Sequence, residues 1–347
     1  MRAWEVHRQG PVGTHAPLRL VDRDEPTPGP RQVRVQVRAC GVCRTDLHIA
    51  EGDLPLHREA VVPGHEVVGV VDAVGARASR FVVGDRIGIA WLRWTCGRCR
   101  FCRRGAENLC VEPRFTGWDD DGGYAELAVV DEDFAYRLPP ELDDVHAAPL
   151  LCAGIIGYRA LKISSLPPGG VLGIYGFGAS AHLAAQVAMA QGARVHVLTR
   201  SVAARELALA LGAGSAGGAD AAPPEPLDSA VLFAPAGELV PVALRALAPG
   251  GTLAVAGIHL SDIPRIAYDE ELFREKVLRS VTANTRQDGE ELLALASRLD
   301  LDVTVQPYPF AHADEALRDL AGDRVNGAAV LVGEPRDDPS LQGRGGT

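Results

Sequence analysis

The sequence has no run of about 18 uncharged apolar residues, the span a membrane-crossing helix needs, and none is read from it. Basic charge is also short. Lys and Arg total 35 against 45 Asp and Glu, a net charge of −10. With no basic block and no RNA-binding signature, sequence-independent nucleic-acid binding is excluded. No solenoid-type repeat occurs. The opening residues, MRAWEVHRQG, lack the apolar core of a secretory leader. Cysteine is scarce: seven in 347 residues, an odd number, and clustered. A secreted disulfide framework does not fit that count in a chain of this length. The expectation is a cytoplasmic protein whose reduced thiols hold metal.

What is present divides in two. A chain of 347 residues predicts two domains, because single cores stop growing near about 250–300 residues. The first third reads as short strands. RQVRVQVRAC alternates polar and apolar residues, and EVVGVVDAVG and GDRIGIAW are branched, apolar and bounded by Gly. Near residue 154 the texture changes. GVLGIYGFGASAHLAAQVAMAQGARVHVLTR reads strand, Gly-rich turn, helix, strand, and the pattern repeats through SAVLFAPA and LVPVALRALAPGGTLAVAGI. Strands alternating with helices predict a parallel sheet covered on both faces, hence an α/β protein. A last helix and β segment, QDGEELLALASRLDLDVTVQPYPF, are expected to fold back onto the first domain.

Four of the seven cysteines lie in TCGRCRFCRRGAENLC: Cys96, Cys99, Cys102 and Cys110. Two C-x-x-C steps and a closing cysteine suit a tetrahedral, closed and therefore structural zinc site. An iron–sulfur cluster or two disulfides are the alternatives. Arg98, Arg100, Arg103 and Arg104 are expected to favour the thiolates. A second, dispersed set comprises Cys43 in ACGVCRTDLH, His65 with Glu66 in PGHEVVG, and Cys152 in PLLCAG. Two Cys and one His are a known catalytic zinc set with one position left open. Each fragment alone also reads blandly: a surface turn, a buried small hydrophobe, or a redox C-x-x-C.

In GIYGFGASAHLAAQVA, Gly176, Gly178 and Ala181 stand as G-x-G-x-x-A between a strand and a helix, with Ala179 and Ser180 between them. The first Gly permits the turn, the second admits a pyrophosphate, and the small third residue allows close packing. At the end of the following strand, where an NAD site carries an acid, this chain has Thr199, Arg200 and Ser201, with Arg205 nearby. No carboxylate repels a 2′-phosphate there and an Arg is available to pair with it, so NADP(H) is favoured over NAD(H). Arg200 could instead stack on the adenine or face solvent.

Together these segments resemble the zinc-containing medium-chain alcohol dehydrogenases over nearly the whole chain, and within them a bacterial subgroup. The resemblance implies a GroES-like β-rich catalytic domain (1–155 and 288–335, with a structural-zinc lobe at 95–111), a Rossmann doubly wound parallel-sheet domain (156–287) and a flexible tail (336–347). It implies two zinc ions per chain, NAD(P), a small alcohol or aldehyde substrate, and a homodimer or homotetramer. By match, Cys43, His65 and Cys152 would hold the catalytic zinc with Glu66 close by, and Asp46 would orient His65. Thr45 and His48 would relay the proton, and Arg44 would touch the cofactor pyrophosphate. Cys40 matches no ligand of that family, and Ile156 stands where it often has Thr. Trp91, Trp94 and Trp118 fall near pocket segments and read equally well as core aromatics. A non-enzymatic zinc-binding redox sensor using CGVC is the alternative from a different class.

Overall fold

In the computed structural model, which describes residues 1–257 and 259–333, the alternating segment forms strand Gln32–Val42. Its side chains alternate inward and outward until Arg38, after which four consecutive residues are buried. The strand therefore begins as a half-exposed surface element and ends inside the protein. It pairs antiparallel with Val67–Val74 and Leu127–Asp131 on one part of its length and with Ala328–Val332 on another. The sheet runs in the order Val305–Pro309, Ala328–Val332, Gln32–Val42, Val67–Val74, Arg86–Ile89, Ala135–Arg137. The last two strands of the chain thus return to the first sheet. The tail expected at 336–347 lies outside the described residues.

The second sheet has six parallel strands: Ser215–Gly217, Arg194–Leu198, Val171–Tyr175, Leu227–Leu232, Leu247–Val255, Val277–Ser280. Numbered within this sheet, that order is 3-2-1-4-5-6, the doubly wound dinucleotide arrangement. The order reverses beside Val171–Tyr175, whose five residues are all buried. The Gly-rich turn therefore leaves the sheet at the point where such folds open a crevice.

Helix Ala153–Ser164 joins the halves. One buried apolar cluster runs from Ala39, Val68 and Ala90 of the antiparallel sheet through Ile155 and Ala160 to Leu172 and Ile174 of the parallel sheet. Full burial of a side chain such as Ile155 stabilises by roughly 1.5–3 kcal/mol. Helix Arg286–Ala296 closes the same seam. Its buried Asp288 accepts from Thr285 in a capping box and pairs with Arg159 at 2.6 Å and Lys162 at 3.0 Å on the joining helix. Among the described residues no single helix is long and apolar enough to cross a membrane.

Candidate metal and dinucleotide sites

The first site follows from strand register. Cys40 on Gln32–Val42 faces Val67 on Val67–Val74, and the Gly41 amide donates to the Glu66 carbonyl at 3.0 Å. Because the pair is antiparallel, residues just past the end of the first strand meet residues just before the start of the second. Cys43 and His65 are those residues. Cys43 also N-caps helix Arg44–Glu51, so the second cysteine of CGVC opens a helix that the strand-rich reading of this stretch did not contain. Cys40 faces the other way, buried, with its sulfur on its neighbour's carbonyl. Cys152 arrives from the far side as the N-cap of the joining helix.

These pieces converge. The Cys43 and Cys152 sulfurs lie 3.9 Å apart, and His65 Nε2 lies 3.3 Å from Cys152 Sγ. With a Glu66 carboxylate oxygen, the four ligand atoms fall within 4.8 Å of one another. Metal–sulfur and metal–nitrogen bonds of about 2.3 and 2.0–2.1 Å on a tetrahedral zinc put such atoms about 3.6–3.8 Å apart. His65 Nδ1 is 3.1 Å from Asp46 Oδ1, which leaves Nε2 as the lone-pair nitrogen facing the sulfurs. Asp46 also accepts from the Cys43 amide and the Gly64 amide, each at 2.9 Å. The Cys152 thiol lowers Cys43 well below the ordinary thiol value, and Cys152 is itself raised well above it. Burial pushes Glu66 well up. Thr45 is buried with its hydroxyl 3.9 Å from Cys43 Sγ, and His48, one turn on, is partly exposed.

An aromatic wall backs this centre. Trp91 meets the His65 ring edge-on at 5.0 Å and stacks on Phe115 at 4.8 Å and Trp118 at 6.1 Å. Trp94 lies apart and is exposed. Space behind the ligands is tight. A Cβ on Gly41 would stand 1.8 Å from Glu66 Oε2, and one on Gly64 2.4 Å from Tyr124 Cδ1. Sequence reading missed both glycines, because only the register shows what faces them.

The second site is local. Sulfurs of Cys99 and Cys102, and of Cys96 and Cys110, lie 3.5 Å apart, with no disulfide. Backbone amides of Cys96, Cys99, Cys102 and Glu112 donate to these sulfurs at 3.3–3.5 Å. Such bonds favour thiolate: Cys99 is lowered to about 6, chiefly by the Cys102 amide. Three of the four arginines expected to favour the thiolates have other partners. Arg100 and Arg104 stack on Phe101, and Arg98 pairs with Glu112 at 3.5 Å. Burial pushes Cys102 up to about 12. Glu107 and Asn108 tie the lobe to the Arg286 side chain (2.7 Å) and the Thr282 carbonyl (2.8 Å).

At the nucleotide turn, Gly176 has φ +83°, and a Cβ there would stand 2.7 Å from the Ala234 amide, so glycine is required. Gly178 N-caps helix Ala179–Ala190 with nothing within 4 Å of a Cβ position, which leaves its face open to a ligand. Ala181 is fully buried. Thr199 is buried and follows strand Arg194–Leu198. Arg200 is exposed, and neither it nor Arg205 has an ion-pair partner recorded among the described residues. Ser201, expected to face cofactor, caps helix Val202–Ala210 by accepting from the Ala204 amide at 3.2 Å. Arg44 is engaged by Asp323, 279 residues away.

Comparison with known proteins agrees with this architecture. The family model for the alcohol dehydrogenase GroES-like domain matches residues 29–140. "Probable alcohol dehydrogenase AdhA" of Mycobacterium tuberculosis is 58% identical over 337 residues, covering 96% of this chain and 97% of its own. Among solved structures, a cinnamyl alcohol dehydrogenase of Sorghum bicolor superposes with a TM-score of 0.86 at 28% identity, covering 97% of this chain and 99% of its own. The enzyme titled CAD from Helicobacter pylori, complexed with NADP(H), gives 0.84 at 25% identity, with 96% and 99% covered.

Gly41→Ala is expected to lower stability by about 1–3 kcal/mol, the usual range for overpacking, because buried Glu66 must move. A urea or thermal unfolding midpoint equal to wild type would show that Glu66 yields freely.

Proposed function

The chain belongs to the zinc-type medium-chain alcohol dehydrogenase family, and we propose that it oxidises small alcohols, or reduces the matching aldehydes, at a zinc held by Cys43, His65 and Cys152. The carrying observation is the convergence of two thiols and one imidazole nitrogen from three distant segments, with a carboxylate fixing the imidazole. A bound zinc supplies Lewis acidity and a nicotinamide coenzyme supplies or takes the hydride. The chain's own residues do the rest. Asp46 orients His65, and Glu66 stands beside the ligands as a fourth donor. Buried Thr45 takes the proton of the substrate hydroxyl, and His48, one helical turn on and partly exposed, carries it toward water. The aromatic wall excludes water from one side. The four-cysteine lobe holds a second, structural zinc. The relatives give no support to a non-enzymatic sensor, and Cys40 and Cys43 face apart.

On this reading residues 1–155 and 288–335 form the catalytic half and 156–287 the nucleotide half, with coenzyme along Gly176–Ala181. Arg44 would leave Asp323 for the pyrophosphate. Arg200 and Arg205, without an ion-pair partner among the described residues, and the lack of an acid at 199–201 support NADP(H) over NAD(H). Seven unpaired thiols support a reducing, cytoplasmic setting. Strand Val277–Ser280 ends the parallel sheet with Val277 exposed, and Ile263, Tyr268 and Phe273 are exposed nearby. An open edge beside apolar side chains supports self-pairing into a dimer or a tetramer built from it.

Four kinds of measurement test the reading. Elemental analysis should give about two zinc ions per chain. Cys43→Ala should lose one zinc and turnover while keeping its unfolding midpoint. Cys99→Ser should lower the midpoint first. An active Cys43→Ala enzyme would remove zinc from the chemistry. Arg200→Asp should lower the NADP(H)/NAD(H) ratio of kcat/KM by about tenfold, the loss of one charge-assisted contact; an unchanged ratio would free that arginine of the role. Sedimentation should give two or four times the 36.7 kDa chain mass, and a species of one chain mass at micromolar concentration would exclude the edge pairing.

A further inference from the structure

We propose that Asp323 is a positioning residue that weakens coenzyme binding: its carboxylate holds Arg44 in the coenzyme-free enzyme and must release it before the guanidinium can meet a pyrophosphate. The proposal rests on the reading of Arg44 as a pyrophosphate contact, and adds to it the group that competes for that arginine. Arg44 and Asp323 form an ion pair across 279 residues of sequence. Carboxylate and phosphate are alternative partners for one guanidinium, because each accepts from the same planar fork of N–H donors.

Neither charge serves its own helix. Arg44 is the first residue of helix Arg44–Glu51, where the positive end of the macrodipole disfavours a cation. Asp323 lies just past helix Ala313–Ala321, where the negative end disfavours an anion. The two helices pack together, with Leu47 and Leu317 buried in one core cluster. That packing brings the start of the first beside the end of the second, and the pair answers both charges at once.

The turn that aims the carboxylate is fixed. Asp323 has φ +53°, in the left-handed region that glycine adopts most cheaply and aspartate tolerates. Its amide donates to the Leu320 carbonyl at 3.3 Å, and the Arg324 amide donates to the Asp319 carbonyl at 2.9 Å. The Arg324 side chain locks the turn through Asp319 Oδ1 at 2.9 Å and the Arg318 carbonyl at 3.1 Å. Arg318 in turn pairs with Asp314 at 2.8 Å. Both neighbouring arginines are therefore engaged elsewhere, and Asp323 is directed at Arg44.

The strength of the pair suits a contact that must break. The Arg44 side chain is 50% exposed and that of Asp323 82%. An ion pair so open to water is weak and readily exchanged. Pyrophosphate carries more charge than one carboxylate and displaces it. The exchange replaces one ion pair with another, so the net gain is smaller than a free arginine would give.

The test measures NADPH binding to zinc-loaded protein by quenching of tryptophan fluorescence. Asp323→Asn and Asp323→Gly both keep a residue at home in the left-handed region and remove the charge. Each should lower Kd about threefold to fivefold, the strength of an exposed ion pair. Arg44→Gln should raise Kd, and in that background Asp323→Asn should add nothing. Added salt should raise Kd more steeply in Asp323→Asn than in wild type, because only the variant gains an ion pair on binding. An unchanged Kd in both Asp323 variants would overturn the proposal and leave the dehydrogenase reading standing. Equal tightening in the Arg44→Gln background would overturn it too, since the carboxylate would then repel the ligand without the arginine. Tighter NADPH binding by the Asp323 variants of a protein that oxidises no alcohol would keep the Asp323 assignment and sink the proposed activity instead.

Discussion

The centre of this molecule depends on one buried carboxylate. Asp46 is fully buried, and it accepts from three donors: the Cys43 amide, the Gly64 amide and the His65 ring. Removing an ion from water costs several kcal/mol, and only dense hydrogen bonding offsets it. The three donors come from two of the three segments that bring Cys43, His65 and Cys152 together, so satisfying Asp46 and assembling the site are one requirement. It also closes the capping box of helix Arg44–Glu51, which aims Thr45 and His48. A single polar residue thereby couples ligand spacing, imidazole tautomer and helix start.

The two cysteine sets show different ways of holding thiols together. In the lobe, spacing is local. Amides two or three residues on donate to the Cys96, Cys99 and Cys110 sulfurs, and the Cys96 amide donates to Cys110 fourteen residues on, all within one short loop. In the dispersed set, spacing comes from strand register and from the packing of Cys152 on its helix. Glycine is needed at Gly41 and Gly64 because Glu66, Tyr124 and Cys40 already fill the space a side chain would take. Errors in the first kind of site stay in the loop; errors in the second reach the sheet.

This difference governs what could be read in advance. The lobe, the G-x-G-x-x-A turn and the missing acid at 199–201 are short-range patterns, legible in the chain itself. The alternating strand and the change of texture near residue 154 foretold the two kinds of sheet. The three-segment ligand set was not legible from spacing alone and came through family resemblance. Contacts that no spacing announces came only with the structure. Arg100 and Arg104, expected to favour the thiolates, stack on Phe101, and backbone amides donate to the lobe sulfurs. Ser201, expected to face cofactor, also caps a helix.

One helix then links chemistry to coenzyme. Cys152 caps Ala153–Ser164, and Gly157 on that helix lies so close to helix Ala179–Ala190 that a Cβ would stand 2.6 Å from the Ser180 carbonyl. Ser180 belongs to the first turn after the Gly-rich loop. The Cys152 thiol and the Gly-rich turn are therefore two ends of one close-packed contact, with no loop between them to absorb displacement. Hydride transfer needs its donor and acceptor carbons at near-contact distance, and small misplacements are costly. The fold sets that distance through backbone-to-backbone packing at Gly157, which explains why small residues crowd this seam while bulk and charge are placed further out, on Arg159, Lys162 and Asp288.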